Sequence, residues 1–172
     1  MKKVVTTALV LSFALLGAAL AQEKKAAPLK KSAPGAAKVP MHTVVNASEI
    51  QWGDAPPGLP SGSKVALLQG DPGKPGMFTV RVKAPDGYRV PKHWHPTAEH
   101  LTILSGSFNV LMGDGTDMSK ATSLTAGAFA TMPAKMRHEL VCQGETEFQV
   151  SAMGPFVITY VNPADDPRKA TR

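Results

Sequence analysis

The chain has 172 residues, 43% hydrophobic and 19% charged, with a single cysteine and a net charge of +6. That length suits one domain with an appendage, and a lone thiol excludes an intramolecular disulfide framework. The positive charge does not point to a nucleic-acid surface, because it sits near the N-terminus: from Met41 onward 12 basic and 12 acidic residues cancel.

Residues 1–21 read as a signal peptide. Lys2 and Lys3 precede the apolar run "VVTTALVLSFALLGAA", and Ala19-Leu20-Ala21 fits a small-x-small cleavage site with Gln22 as the new N-terminus. No cysteine follows the apolar run, so a lipid anchor is not indicated. The mature chain is therefore expected to be periplasmic or secreted, with no transmembrane span after cleavage. Residues 22–40, "QEKKAAPLKKSAPGAAKVP", lack any apolar periodicity and read as a disordered Lys/Ala/Pro linker.

From residue 41 to residue 163 the pattern is all-β. "HTVVNA" and "SEIQW" lead in, and "SKVALLQG" follows a Pro/Gly-rich stretch. "GMFTVRVKAP" alternates with period two, with Phe78, Val80 and Val82 on one face. "EHLTILSGSFNVLMGDG" reads as two strands around a Ser-Gly turn or bulge, and "TDMSKAT" as a weak helical turn. "GAFATMP", "RHELVCQG", "ETEFQVSAMG" and "FVITYV" complete roughly ten strands, with turn signals at the spacing of a sandwich or barrel. Residues 164–172 form a polar tail expected to lie on the surface or fray.

The densest chemistry lies in "PKHWHPTAEH", residues 91–100. On a strand, residues two apart point to one face, so His93 and His95 can reach one ion while Trp94 faces away. Pro96 cannot continue a central strand, and a turn at "PTA" would return Glu99 beside His95 on the next strand. His100 then faces outward. His138, in "MPAKMRHELV", is the best remaining partner, and His42 a poor one. Three imidazoles and a carboxylate suit one divalent transition metal, Zn, Fe, Mn, Ni or Cu, rather than Ca or Mg alone.

The same residues resemble the first motif of the cupin superfamily, G-x5-H-x-H-x3-E-x6-G. Gly87, His93, His95, Glu99 and Gly106 stand at every fixed position. The second motif, G-x5-P-x-G-x2-H-x3-N, is met by Gly127, Pro133 and His138. Lys135 replaces its second Gly and Cys142 its Asn. The resemblance implies a single-domain jelly-roll β-barrel with His93, His95, Glu99 and His138 as metal ligands. Lys135 suggests a turn that does not need a positive backbone dihedral. Cys142 lies too far along its strand to share the ion and reads as a small buried hydrophobe.

Four protein ligands leave up to two positions on an octahedral ion, as oxygenase chemistry requires. The resemblance implies a metal-dependent enzyme acting on a small molecule, most often of dioxygenase type; a non-catalytic protein that binds or senses a small ligand or metal is the alternative. No helix-turn-helix pattern is present, so a nucleic-acid partner is not expected. Glu139, next to His138, should point outward. Phe78, Val80, Leu101, Ile103, Phe108, Met132 and Phe148 are expected to form barrel core, some of them lining a pocket. Relatives of this kind are often homodimers, and the edges "SKVALLQG" and "FVITYV" are places for such a contact.

Overall fold

The computed structural model describes residues 42–169. The expected signal peptide and linker lie outside the described residues. The described chain folds into nine strands. They are β1 (Gly53–Asp54), β2 (Lys64–Gln69), β3 (Gly76–Ala84), β4 (Arg89–Trp94), β5 (Glu99–Met112), β6 (Thr122–Thr125), β7 (Phe129–Met132), β8 (His138–Gly154) and β9 (Thr159–Tyr160). Short 3-10 turns at Ala47–Glu49, Met118–Lys120, Pro163–Asp165 and Pro167–Lys169 are the helical elements. None of the described helices is long and apolar enough to cross a membrane.

All strand pairs are antiparallel. One path runs β1-β2-β3-β8-β4-β9, and β5 joins it through β8 while carrying β6 and β7. The centre is the β5–β8 ladder, which runs from Glu99 opposite Ala152 to Met112 opposite His138. The sequence suggested four strands here and the structure has two long ones. The ladder bends without breaking, by register shifts between Ile103 and Ser107. Gly106 makes the bend: its φ is +72°, and a Cβ would stand 2.8 Å from the Cα of Thr146, closer than side chains pack. The folded-over ladder closes the sheet into a jelly-roll barrel.

Alternation of apolar and polar residues on β3, β5 and β8 fills that barrel. Phe78, Leu101, Ile103, Phe108, Phe148 and Val150 are all buried, and Phe108 meets Phe148 edge-on with ring centroids 5.5 Å apart. Each such side chain contributes about 1.5–3 kcal/mol by leaving water. "FVITYV" supplies only the two-residue β9, paired with the end of β4. Beyond it Asp166 is buried and Arg168 folds back onto the Ile158 carbonyl.

Candidate metal centre

The four residues singled out in the sequence converge at one end of the barrel. His93 stands near the end of β4, opposite His138 of β8 on one side and Tyr160 of β9 on the other. Glu99 opens β5, and His95 sits in the turn between. Ring centroids are 4.9 Å apart for His93 and His95, 4.2 Å for His93 and His138, and 5.3 Å for His95 and His138. One nitrogen from each ring lies within 4.8 Å of the others. Glu99 Oε2 is 3.2 Å from His138 Nε2 and 3.5 Å from His95 Nε2. All four are buried, His138 with only 1% of its surface exposed.

The other ring nitrogen of each histidine is committed. His93 Nδ1 donates to the Pro91 carbonyl at 2.7 Å, His95 Nδ1 to Val157 at 3.0 Å, and His138 Nδ1 to Met136 at 3.0 Å. A carbonyl oxygen only accepts, so each Nδ1 carries a proton, and in the neutral ring the lone pair is on Nε2, facing the cluster. Among the described residues, Nε2 of His95 and of His138 are buried with no hydrogen-bond partner. The nearby Glu99 oxygen does not supply one, because it too is an acceptor. Buried acceptors facing one another are unfavourable unless a cation lies among them. The donor set and its carbonyl supports therefore fit a metal ion, and the three-histidine group could bind one.

Electrostatics agree. Burial depresses the His93 imidazole to about 3, and the neighbouring His138 and His95 rings add to this. Burial also lowers His95. For Glu99, burial pushes the carboxyl up, and a hydrogen bond from His138 with the charges of His95 and His138 holds it below its ordinary range only while those rings are protonated. Neutral imidazoles and an ionised carboxylate are the ligand forms a metal requires.

A cavity of about 360 Å³ opens beside the cluster, reaching His93, His95 and Glu99. Its wall is largely apolar: of the residues expected as core or wall, Phe78, Val80 and Phe148 line it, whereas Leu101, Ile103, Phe108 and Met132 are core. Tyr88 also lines it, but its hydroxyl donates to the Pro60 carbonyl at 2.8 Å and accepts from Ser63 Oγ at 3.0 Å.

Several local readings are corrected. β4 stops at Trp94, so His95 is not on the strand; its ring is aimed by stacking on Phe156 at 4.1 Å and by the Val157 carbonyl. Glu99 does return beside His95 on the strand after the turn, as expected, although β5 pairs with β6, β7 and β8 and not with β4. Lys135 does take a positive φ, of 64°, because its N–H must turn back to donate to the His95 carbonyl at 2.8 Å. Glu139 alternates away from His138, yet it is buried. Its carboxylate pairs with the Arg89 guanidinium at 2.6 Å, and its cross-strand neighbour Leu111 is buried too. His100 is exposed and stacks on Phe129, and Cys142 is buried. Phe156, Val157 and Arg168, all contributors to the cavity, were missed as site residues: the first two open a stretch read only as a strand, and Arg168 lies in one read as a polar tail.

The family model described as the ChrR Cupin-like domain matches residues 40–157. No match is found among the curated proteins. The polyketide cyclase RemF from Streptomyces resistomycificus is 18% identical with a TM-score of 0.61, over 76% of this chain and 93% of its own. A candidate acetylacetone dioxygenase from Methylibium petroleiphilum PM1 is 22% identical with a TM-score of 0.60, over 77% of this chain and 88% of its own. An RmlC-like cupin from Shewanella frigidimarina NCIMB 400 is 17% identical with a TM-score of 0.51, over 63% and 87%.

Proposed function

The chain belongs to the ChrR Cupin-like domain family, and on that premise we propose that it is an exported metalloprotein of dioxygenase type. In this reading His93, His95, Glu99 and His138 hold one divalent transition-metal ion, and a small, mostly apolar molecule occupies the adjoining cavity. The observation that carries it is the convergence of two buried Nε2 atoms, neither with a hydrogen-bond partner, on one carboxylate oxygen. When bound, such an ion supplies Lewis acidity and, if redox-active, the one-electron chemistry that dioxygen needs.

The protein's own part is positioning and exclusion of water. The carbonyls of Pro91, Met136 and Val157 fix the three ring planes, so the donor atoms are set before the ion arrives. The apolar wall takes the body of the ligand and keeps solvent from the reacting centre. Support for the dioxygenase reading comes from the candidate acetylacetone dioxygenase of the same fold. Support for export comes from the charged, apolar and small-residue order of residues 1–21. A homodimer through a sheet edge, at the part of β2 beyond its pairing with β1 or at β9, belongs to the same proposal.

A second reading, a binding protein without catalysis, is favoured by one feature. Beyond the four cluster residues, the cavity wall offers, among the described residues, no carboxylate, imidazole, lysine or thiol to act as acid or base. Elemental analysis of protein purified from the periplasm, with oxygen uptake on small diketones and catechols, decides between them. One ion per chain with turnover supports the enzyme, one ion without turnover supports the binder, and no ion refutes the metal site in either reading.

A further inference from the structure

Arg168 brings charge to the cavity wall, and it comes from the C-terminal segment rather than the barrel. The guanidinium is held on two sides. Nε donates to Asp166 Oδ1 at 2.7 Å, and Nη2 donates to Asp166 Oδ2 at 2.9 Å and to the Ile158 carbonyl at 2.8 Å. The third nitrogen, Nη1, has no hydrogen-bond partner among the described residues. It lies against the cavity residue Gly58, where a Cβ would stand 3.9 Å away. The chain thus spends a bidentate carboxylate on holding one guanidinium edge and leaves the other beside the cavity residue Gly58, on a side chain 41% exposed at the cavity rim.

We propose that Arg168 is a specificity-determining residue: it presents a fixed N–H donor to an uncharged oxygen, such as a ketone or ester carbonyl, on an otherwise apolar ligand. The inference names the substrate class of the proposed site and rests on that reading. The choice of an uncharged group follows from the pairing. Asp166 already neutralises the guanidinium. A ligand carboxylate would meet that acid, whereas a carbonyl asks only for a donor. The apolar wall favours the same class, since a charged body would lose its hydration there without a partner.

The test uses the full mature chain, freed of metal by chelation so that ligand oxygen cannot coordinate an ion. Its probes are acetophenone, its hydrocarbon isostere α-methylstyrene, and benzoate. Binding is measured by calorimetry for wild type, Arg168→Met and Arg168→Lys. The expected result is that wild type prefers the ketone to its isostere by roughly five- to tenfold more than Arg168→Met does. Hydrocarbon binding should change little, and benzoate should bind most weakly. Arg168→Lys keeps a cation for Asp166 but loses the second edge, so it should show the same loss of ketone preference in a folded protein. An unchanged ketone-to-isostere ratio in both variants overturns the proposal. So does tighter binding of benzoate than of acetophenone that depends on Arg168, which would make the site an anion clamp. Metal stoichiometry measured on the same variants after reloading reports on the metal reading separately.

Discussion

Glu99 Oε2 lies 3.2 Å from His138 Nε2, although the two residues start opposite ends of the β5–β8 ladder. Glu99 faces Ala152, and His138 faces Met112. Were β8 straight, Ala152 would stand about 45 Å from His138 at roughly 3.3 Å per residue. The contact therefore measures how far the ladder folds over. The candidate metal centre is where its two ends meet, and barrel closure and ligand assembly are one event.

Gly106 is the point at which that closure is most exposed to mutation. Gly106→Ala places a side chain in left-handed backbone and drives it into the Glu145–Thr146 backbone of the facing strand. A loss of about 2–5 kcal/mol is expected, from backbone strain and overpacking together. Urea unfolding checks it, and metal content should fall in the same variant because the ladder ends separate.

Removing the candidate ligands one at a time separates their roles. His138→Ala deletes a donor atom at the centre of the cluster and should abolish stoichiometric metal binding. Glu99→Gln keeps the shape but removes the charge facing two lone pairs, and affinity should drop by roughly tenfold or more. Competition against a chelator of known affinity reads both. Wild-type affinity in Glu99→Gln would take the carboxylate out of the ligand set.

The metal-free protein should lose stability as pH falls. His93 is held at about 3 in the folded chain against an ordinary 6.5, so the unfolded chain binds the extra proton between those values. Stability from this group is complete above about 6.5 and is lost progressively toward 3. Glu99, lowered from its ordinary 4.5, acts in the same direction at the acid end of that range. Urea midpoints of chelator-treated protein at neutral and mildly acid pH measure the slope, and His93→Gln should flatten it.

Cys142 should be inert in the native protein. It is 1% exposed, and burial pushes its thiol up to about 11, so little thiolate exists at pH 8. A chromogenic disulfide reagent should label it only after unfolding. Cys142→Ala should cost about 1 kcal/mol or less of cavity energy and leave metal content unchanged.

The cluster was legible in the sequence because spacing carries it: His93, Glu99 and His138 stand at strand ends whose alternation assigns a face to each. What was not legible depends on pieces of chain that meet only after closure. His95 is aimed from outside its strand by Phe156 and Val157, and Arg168 reaches the cavity from a stretch that reads as a polar tail. Glu139 shows the limit of alternation itself. Period two gives the face correctly but not whether that face is covered, and here Arg89 and Leu111 cover it.

Lys135 offers the reverse experiment, a substitution that should help. At φ 64° it occupies backbone that costs a residue with a side chain about 1–2 kcal/mol, and the cupin pattern has Gly there. Gly removes that strain but adds about 0.5–1 kcal/mol of unfolded-chain entropy. The net for Lys135→Gly is a gain of up to about 1 kcal/mol, whereas Lys135→Val, branched at Cβ, should lose about 1 kcal/mol or more. The bond from residue 135 to the His95 carbonyl is made by the backbone N–H, so both variants retain it and metal affinity should not move. Thermal melts of the two variants, with metal titrations alongside, separate strain in the turn from any role of the lysine side chain. A lower melting temperature in Lys135→Gly would show that the side chain, not the backbone, holds this turn.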